Sequence, residues 1–364
     1  MVTDQDLGIR PFINASGTIT TLGGSLMSDE VLDSMRAAGG SFIDLNRLNE
    51  SAGEYLARRI GVEAAFISCG AASGVQLSAA ACLTGTDRDR VAGLPETDGK
   101  NEFVISSVDR HTYIHQGIEL CGGTLVRAGT DDGVTTEDLL GAVTERTAAV
   151  VHFLGKQTRE QLEEVIVGCD PLGVPVIVDA AAQLPPRSNL IEIVGLGASL
   201  VNFSGGKGIG GPQSSGLVLG KKAFVDAVGL NASPNSGIGR GMKVGKEEIL
   251  GLVTAVDRFL KGSDSDDRTS WERQASLVVQ SVKDCDGVSG EVLREGQPAA
   301  PDFAPRAYLT FTGPDRIPTT LKSLKKGDPS IVVRRSGDQI IVDPMTMRPG
   351  EEEIVAERLK DILT

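Results

Sequence analysis

Cysteine is too sparse and scattered for a stapled or metal-bound fold. The five residues, Cys69, Cys82, Cys121, Cys169 and Cys285, are odd in number and none forms a CxxC pair. That pattern excludes a disulfide framework and a zinc site. No apolar run reaches the roughly 18 residues of a membrane span. The opening MVTDQDLGIR has acids where a secretory leader needs basic and apolar stretches. Positive charge is short: 36 Lys and Arg stand against 49 Asp and Glu, a net charge of -13. A surface built to grip nucleic-acid phosphate is thereby excluded. Aromatics make up only 4% of the 364 residues, and no internal repeat or low-complexity segment occurs. What is left, 40% hydrophobic and 23% charged, is the composition of an ordinary soluble protein, expected in the cytoplasm. Glycine is the exception. A usual ~7% would give about 25; the chain holds 45. They follow no G-X-Y period, which excludes collagen. They cluster between apolar runs, pointing to tight turns and backbone-lined ligand sites.

Periodicity predicts a glycine-bearing lead over residues 1–28 and a large domain over 29–235. A small α+β domain is expected over 236–364. In the large domain, helices are expected at 29–38 and 50–60. A strand at 64–69 runs into Gly70-Ala71-Ala72-Ser73-Gly74 and a helix of small residues. Apolar runs at 103–106, 123–127, 148–153, 174–178 and 200–203 alternate with helical patterns. That rhythm predicts βαβ units and a mostly parallel, doubly wound sheet covered on both faces. The polar stretch 86–102 reads as a surface excursion and 262–267 as an acidic loop. Beyond it, strands are expected at 307–311, 330–334 and 339–343.

The densest chemical signal is Val176-Ile177-Val178-Asp179-Ala180, followed by Phe203-Ser204-Gly205-Gly206-Lys207 and Gly210-Gly211-Pro212-Gln213. An acid ends one buried strand, and a lysine in a glycine-rich loop follows the next. Pyridoxal 5'-phosphate needs this pair. The lysine condenses with its aldehyde, and the carboxylate keeps the ring nitrogen protonated. A phosphate cup is available in the helix-start amides of Gly70, Ala71, Ala72 and Ser73, with the Ser204 hydroxyl beside the lysine loop. A planar side chain over the ring is expected from His111 or His115. His115 is preferred for its Tyr-x-His setting.

These residues, with Asn14-Ala15-Ser16-Gly17-Thr18, Gly239-Arg240-Gly241-Met242-Lys243-Val244-Gly245-Lys246 and Val342-Asp343-Pro344, resemble one branch of fold-type-I pyridoxal phosphate enzymes. The branch contains selenocysteine synthase (L-seryl-tRNA selenium transferase) and D-glucosaminate-6-phosphate ammonia-lyase. The resemblance spans nearly the whole chain and implies an aspartate aminotransferase-like fold. It also implies a homodimer or higher homo-oligomer with intersubunit active sites. Two features favour the ammonia-lyase side. The chain starts almost at the Ile13-Asn14-Ala15 motif, without the RNA-binding domain of selenocysteine synthase. Gly206 also stands where that enzyme has an acid before its lysine.

The implied activity removes water and ammonia from a hydroxy-amino acid, D-glucosaminate 6-phosphate or a related amino sugar acid, to give a 2-keto acid. Lys207 and Asp179 are the catalytic pair. Arg334 is the candidate for the substrate carboxylate, Arg240 and Lys243 for a second anion, and Asn14 for closing the pocket. No metal, nucleic acid or membrane partner is expected. Selenium transfer, racemisation, aldol cleavage and a catalytically silent homologue are the alternatives.

Overall fold

The computed structural model describes residues 2–297, 300–313 and 315–364. The chain divides into two compact units, the larger built on Leu26–Gly262 and the smaller on the chain before and after it.

The larger unit holds seven strands in the spatial order β2 (Ala64–Ser68), β8 (Gly216–Gly220), β7 (Leu200–Ser204), β6 (Val176–Asp179), β5 (Thr147–Phe153), β3 (Glu102–Ser106) and β4 (Thr124–Ala128). All pairings from β7 to β4 are parallel, whereas β8 is antiparallel to both its neighbours. β5 is buried at every position, as a strand covered on both faces must be. The sheet was expected without β8, because its Leu-Val-Leu run is bracketed by glycines that read as turn. Those glycines are steric necessities. A Cβ at Gly216 would lie 2.4 Å from the Gly70 carbonyl carbon, and one at Gly220 would lie 2.2 Å from the Ser199 oxygen.

The expected domain boundary at 235 moves to Gly262 because the helix Lys246–Lys261 belongs to the larger unit. Its buried Ile249, Leu252, Val256 and Phe259 share a core with Val31 and Leu56. The expected acidic loop is the first turn of the helix Asp264–Ser281. The Ser263 hydroxyl accepts the Asp266 amide there, and acids suit the positive end of a helix dipole. The surface excursion contains a short helix, Arg88–Gly93.

The smaller unit carries a five-stranded sheet, ordered β1 (Phe12–Ala15), β11 (Ser330–Ser336), β12 (Gln339–Val342), β10 (Ala300–Phe311) and β9 (Val288–Gln297). The lead expected to stand alone supplies β1, parallel to β11. Arg306 and Asp343 form a buried ion pair at 2.6 Å. No helix among the described residues is long and apolar enough to cross a membrane.

Candidate active site

In an open α/β sheet, the loops leaving the carboxyl ends of the strands are where ligands meet the fold. Here the loops after β2, β3, β6 and β7 carry the expected chemistry. In register across the sheet, Phe153 of β5 pairs with Asp179 of β6, and Asp179 pairs with Asn202 of β7. Residues in register on parallel neighbours face the same side. On that side Asn202 hydrogen-bonds Ser78 of the helix Ala71–Thr84. Asp179 therefore points to the face on which that helix packs.

Asp179 is half-buried, and its Oδ1 accepts the Ala181 amide at 3.0 Å. Burial raises its pKa, opposed by that hydrogen bond and by the nearby charges of Lys207 and His111. Lys207 is also half-buried. Desolvation lowers its pKa, opposed by the Asp179 charge. The acid and the lysine are thus electrostatic partners in a poorly solvated place, and each favours its neutral form more than it would in water.

Steric exclusion fixes the lysine loop. The Gly205 amide bonds the Ser215 oxygen at 2.9 Å, and the Gly211 amide bonds the Gly205 oxygen at 2.8 Å. A Cβ at Gly206 would lie 2.6 Å from Gln213 Cα, and one at Gly208 would lie 2.2 Å from the Leu184 oxygen. Gly206 is thus demanded by packing, because a side chain there would run into the Gln213 backbone.

Gly70 caps the helix Ala71–Thr84 at φ 153. The Ser68 and Ser73 hydroxyls both donate to its carbonyl, at 2.8 and 2.7 Å. The Ser73 proton is therefore committed to the turn. The donors left for an anion are the amides of Ala71, Ala72 and Ser73, which a helix cannot satisfy internally. Cys69 is partly exposed and donates its thiol to the Ser73 hydroxyl. Ser204, at the end of β7, is half-buried.

The two candidate histidines lie in different surroundings. His115 is 4% exposed. Its Nδ1 lies 3.3 Å from an Arg127 nitrogen, and its Nε2 lies 2.9 Å from Asp109 Oδ1. Burial lowers its pKa, with Asp109 opposing. The ring is buried and hydrogen-bonded through Nδ1 to Arg127, with Asp109 close to Nε2. His111 is the accessible one, its side chain 52% exposed. Its ring stacks on Phe153 at 6.4 Å and 25°, beside Asp179 on the sheet. Tyr113, exposed, meets it edge-on at 5.7 Å. The expected Tyr-x-His cue marked this turn but pointed at the residue facing inward. Asp109 was missed, though its Asp-x-His spacing just after β3 is the signal that could have found it. His152 is buried, its Nε2 3.2 Å from the Thr158 oxygen. Burial lowers its pKa to about 4.

Arg240 and Lys243 are exposed on the loop before the helix Lys246–Lys261. That loop is pinned at Gly239, where a Cβ would lie 2.5 Å from Leu77 Cδ2. Within the smaller unit, the Asn14 side chain makes two hydrogen bonds in its own turn. Its oxygen accepts the Ser16 amide at 3.0 Å, and its nitrogen donates to the Gly17 oxygen at 3.1 Å. Arg334 lies on β11 opposite Ile341. Among the described residues, no group of three His, Cys, Asp or Glu could hold a metal.

Amides at a helix start, a desolvated lysine, a carboxylate facing it and an accessible imidazole form a donor set that fits pyridoxal phosphate. The glycines beside the lysine, which admit no Cβ, fit a planar ring approached closely by backbone. A mostly parallel sheet with this pair on adjacent strands is the fold of the fold-type-I pyridoxal phosphate enzymes. Solved serine palmitoyltransferase from Sphingomonas wittichii shares it, with a TM-score of 0.62 at 12% identity, covering 97% of this chain and 87% of that one. No family model matches the chain.

Individual relatives are more specific. The chain is 34% identical to the 5'-C-glycyluridine monooxygenase-decarboxylase of a Streptomyces species over 99% of its own length and 91% of that protein's. It is 29% identical to D-glucosaminate-6-phosphate ammonia lyase of Salmonella typhimurium, over 98% and 97%. A solved D-glucosaminate-6-phosphate ammonia-lyase superposes with a TM-score of 0.84 at 28% identity, covering 100% of this chain and 99% of that one. The chain belongs to the family of these enzymes, which also takes in the L-seryl-tRNA(Sec) selenium transferases.

Proposed function

We propose that the protein is a pyridoxal phosphate-dependent carbon–nitrogen lyase that converts an anionic hydroxy-amino acid into a 2-keto acid and ammonia. What supports the reading most is the Asp179–Lys207 pair, poorly solvated and mutually coupled at the ends of neighbouring strands, in a relative of an ammonia lyase matched over its full length. Lys207 would hold the cofactor, Asp179 would face its ring nitrogen and His111 its ring. The amides of Ala71, Ala72 and Ser73, with Ser204, would take its phosphate. The bound cofactor supplies an electron-withdrawing ring that weakens the bonds at the substrate's α-carbon.

The rest falls to the chain. Desolvation lowers the Lys207 pKa, which increases the share of neutral Nζ able to accept a proton. Burial opposes ionisation of Asp179 and a cation beside it favours it; once ionised, the carboxylate would hold a proton on a basic atom next to it. Arg240 and Lys243 would attract a second substrate anion, such as a phosphate, and a homodimer or larger assembly would complete the site.

A second reading is oxidative decarboxylation, favoured by the 34% identity to a monooxygenase-decarboxylase. The two separate in one substrate panel. The protein is incubated in air with D-glucosaminate 6-phosphate, D- and L-hydroxy-amino acids and 5'-C-glycyluridine. Ammonia, 2-keto acid, carbon dioxide and oxygen uptake are then measured. Ammonia with keto acid and no oxygen uptake is the expected result. Carbon dioxide with oxygen uptake selects the second reading, and no turnover of any substrate refutes both.

A further inference from the structure

We propose that Asp109 is a positioning residue for His111, fixing its imidazole proton on Nδ1 and leaving Nε2 as a bare acceptor. The functional weight of this inference rests on the assignment of His111 to the cofactor ring. Asp109 is 6% exposed, in the loop after β3. Its Oδ2 accepts from His111 Nδ1 at 2.7 Å, and its Oδ1 accepts the His111 amide at 2.9 Å. One carboxylate thus grips the backbone and the ring of the same residue, at the start of the helix Thr112–Leu120. A carboxylate can only accept, so Nδ1 must carry the proton.

The second histidine on this carboxylate is held the opposite way. Arg127 can only donate, and it faces His115 Nδ1 at 3.3 Å. The His115 proton is therefore on Nε2, 2.9 Å from Asp109 Oδ1. His152 is a third case. Its Nε2 faces the Thr158 oxygen, and its Nδ1 faces the Gln157 amide nitrogen at 3.4 Å, which again places the proton on Nε2. The chain has three histidines, and the geometry assigns the Nδ1–H form to His111 alone. A ring that meets a ligand with a bare Nε2 can take a proton there, and one in the other form cannot.

The test uses the full chain labelled with nitrogen-15 histidine, as isolated and after removal of cofactor. Long-range proton–nitrogen correlation spectra are recorded above the imidazole titration range. Two Nε2–H patterns and one Nδ1–H pattern are expected, the last absent in His111→Gln. Asp109→Asn should convert His111 largely to the Nε2–H form while leaving His152 unmoved. It should also lower kcat about 10–100-fold, the usual effect of losing a partner that orients a functional histidine. KM should change by less than about twofold, because no substrate contact is removed. Three Nε2–H patterns in the unaltered protein, or a His111 pattern indifferent to Asp109→Asn, overturns the proposal. Should Asp109→Asn fail to fold, the spectrum of the unaltered chain decides alone. An Nδ1–H pattern at His111 in a chain that takes up no pyridoxal phosphate would support the Asp109 assignment while refuting the functional reading, so the two fail separately.

Discussion

Gly206→Ala tests whether the lysine loop is positioned by exclusion. The added Cβ would sit 2.6 Å from Gln213 Cα, with the Gln213 nitrogen and Pro212 oxygen both at 3.2 Å. Those neighbours are backbone and cannot swing aside as a side chain would. Reaching even a tight 3.4 Å contact requires the two segments to part by roughly 0.8 Å, and overpacking of this kind costs about 1–3 kcal/mol. Lys207 is the next residue, so the displacement passes into the reacting group. Misplacement by about 1 Å costs on the order of 100-fold in rate. Urea unfolding of the cofactor-free protein reads the first effect, and kcat on the substrate found by the panel reads the second. Gly241→Ala is the control, because a Cβ there meets nothing within 4 Å; it should change stability by less than about 0.5 kcal/mol. A Gly206→Ala protein as stable and as fast as the Gly241→Ala control would refute the reasoning.

Four further outcomes are expected. Lys207→Ala should abolish the visible absorbance of lysine-held pyridoxal phosphate and its bleaching by borohydride; a yellow variant would dismiss Lys207. In cofactor-free protein, burial lowers the Lys207 pKa from 10.5 and Asp179 pushes it back up. Amine labelling of Lys207, followed by mass spectrometry, should therefore show a midpoint below 10.5 that drops further in Asp179→Asn. Arg240→Ala and Lys243→Ala should each raise KM for a phosphorylated substrate roughly 10-fold, the weight of one charge-assisted contact. An unphosphorylated analogue should be unaffected, and equal effects on both would remove these residues from anion binding. Arg306→Met strands the buried Asp343 and should cost about 3–5 kcal/mol in thermal or urea unfolding, much of it recovered by also replacing Asp343 with Leu.

The sheet and the Asp179–Lys207 pair were legible in the sequence because buried parallel strands are unbroken apolar runs, and strand ends expose whatever follows them. What escaped was decided by tertiary contact. β8 is hidden between glycines whose absent side chains make room for Gly70 and Ser199, a reason no local pattern contains. Which of His111 and His115 is buried depends on which side of a helix turn faces the sheet, and the contact of Arg127 with His115 is not visible in the local pattern. The allegiance of the helix Lys246–Lys261 to the larger unit shows only in the core that it shares with Val31 and Leu56. Asn14 has a motif's prominence, and its amide braces its own turn through Ser16 and Gly17.

The parallel pairing of β1 with β11 bears on how the protein is made. Phe12 lies opposite Ser330 and Ala15 opposite Val333, so β1 leaves the ribosome long before the strand it must wait for. β2 waits similarly for β8, its neighbour in the larger sheet. Such long-range closures fold slowly and leave unpaired edges exposed in the meantime. Nascent chains arrested before residue 330 should therefore carry an unprotected N-terminal strand, open to proteases and chaperones until the distant partner emerges.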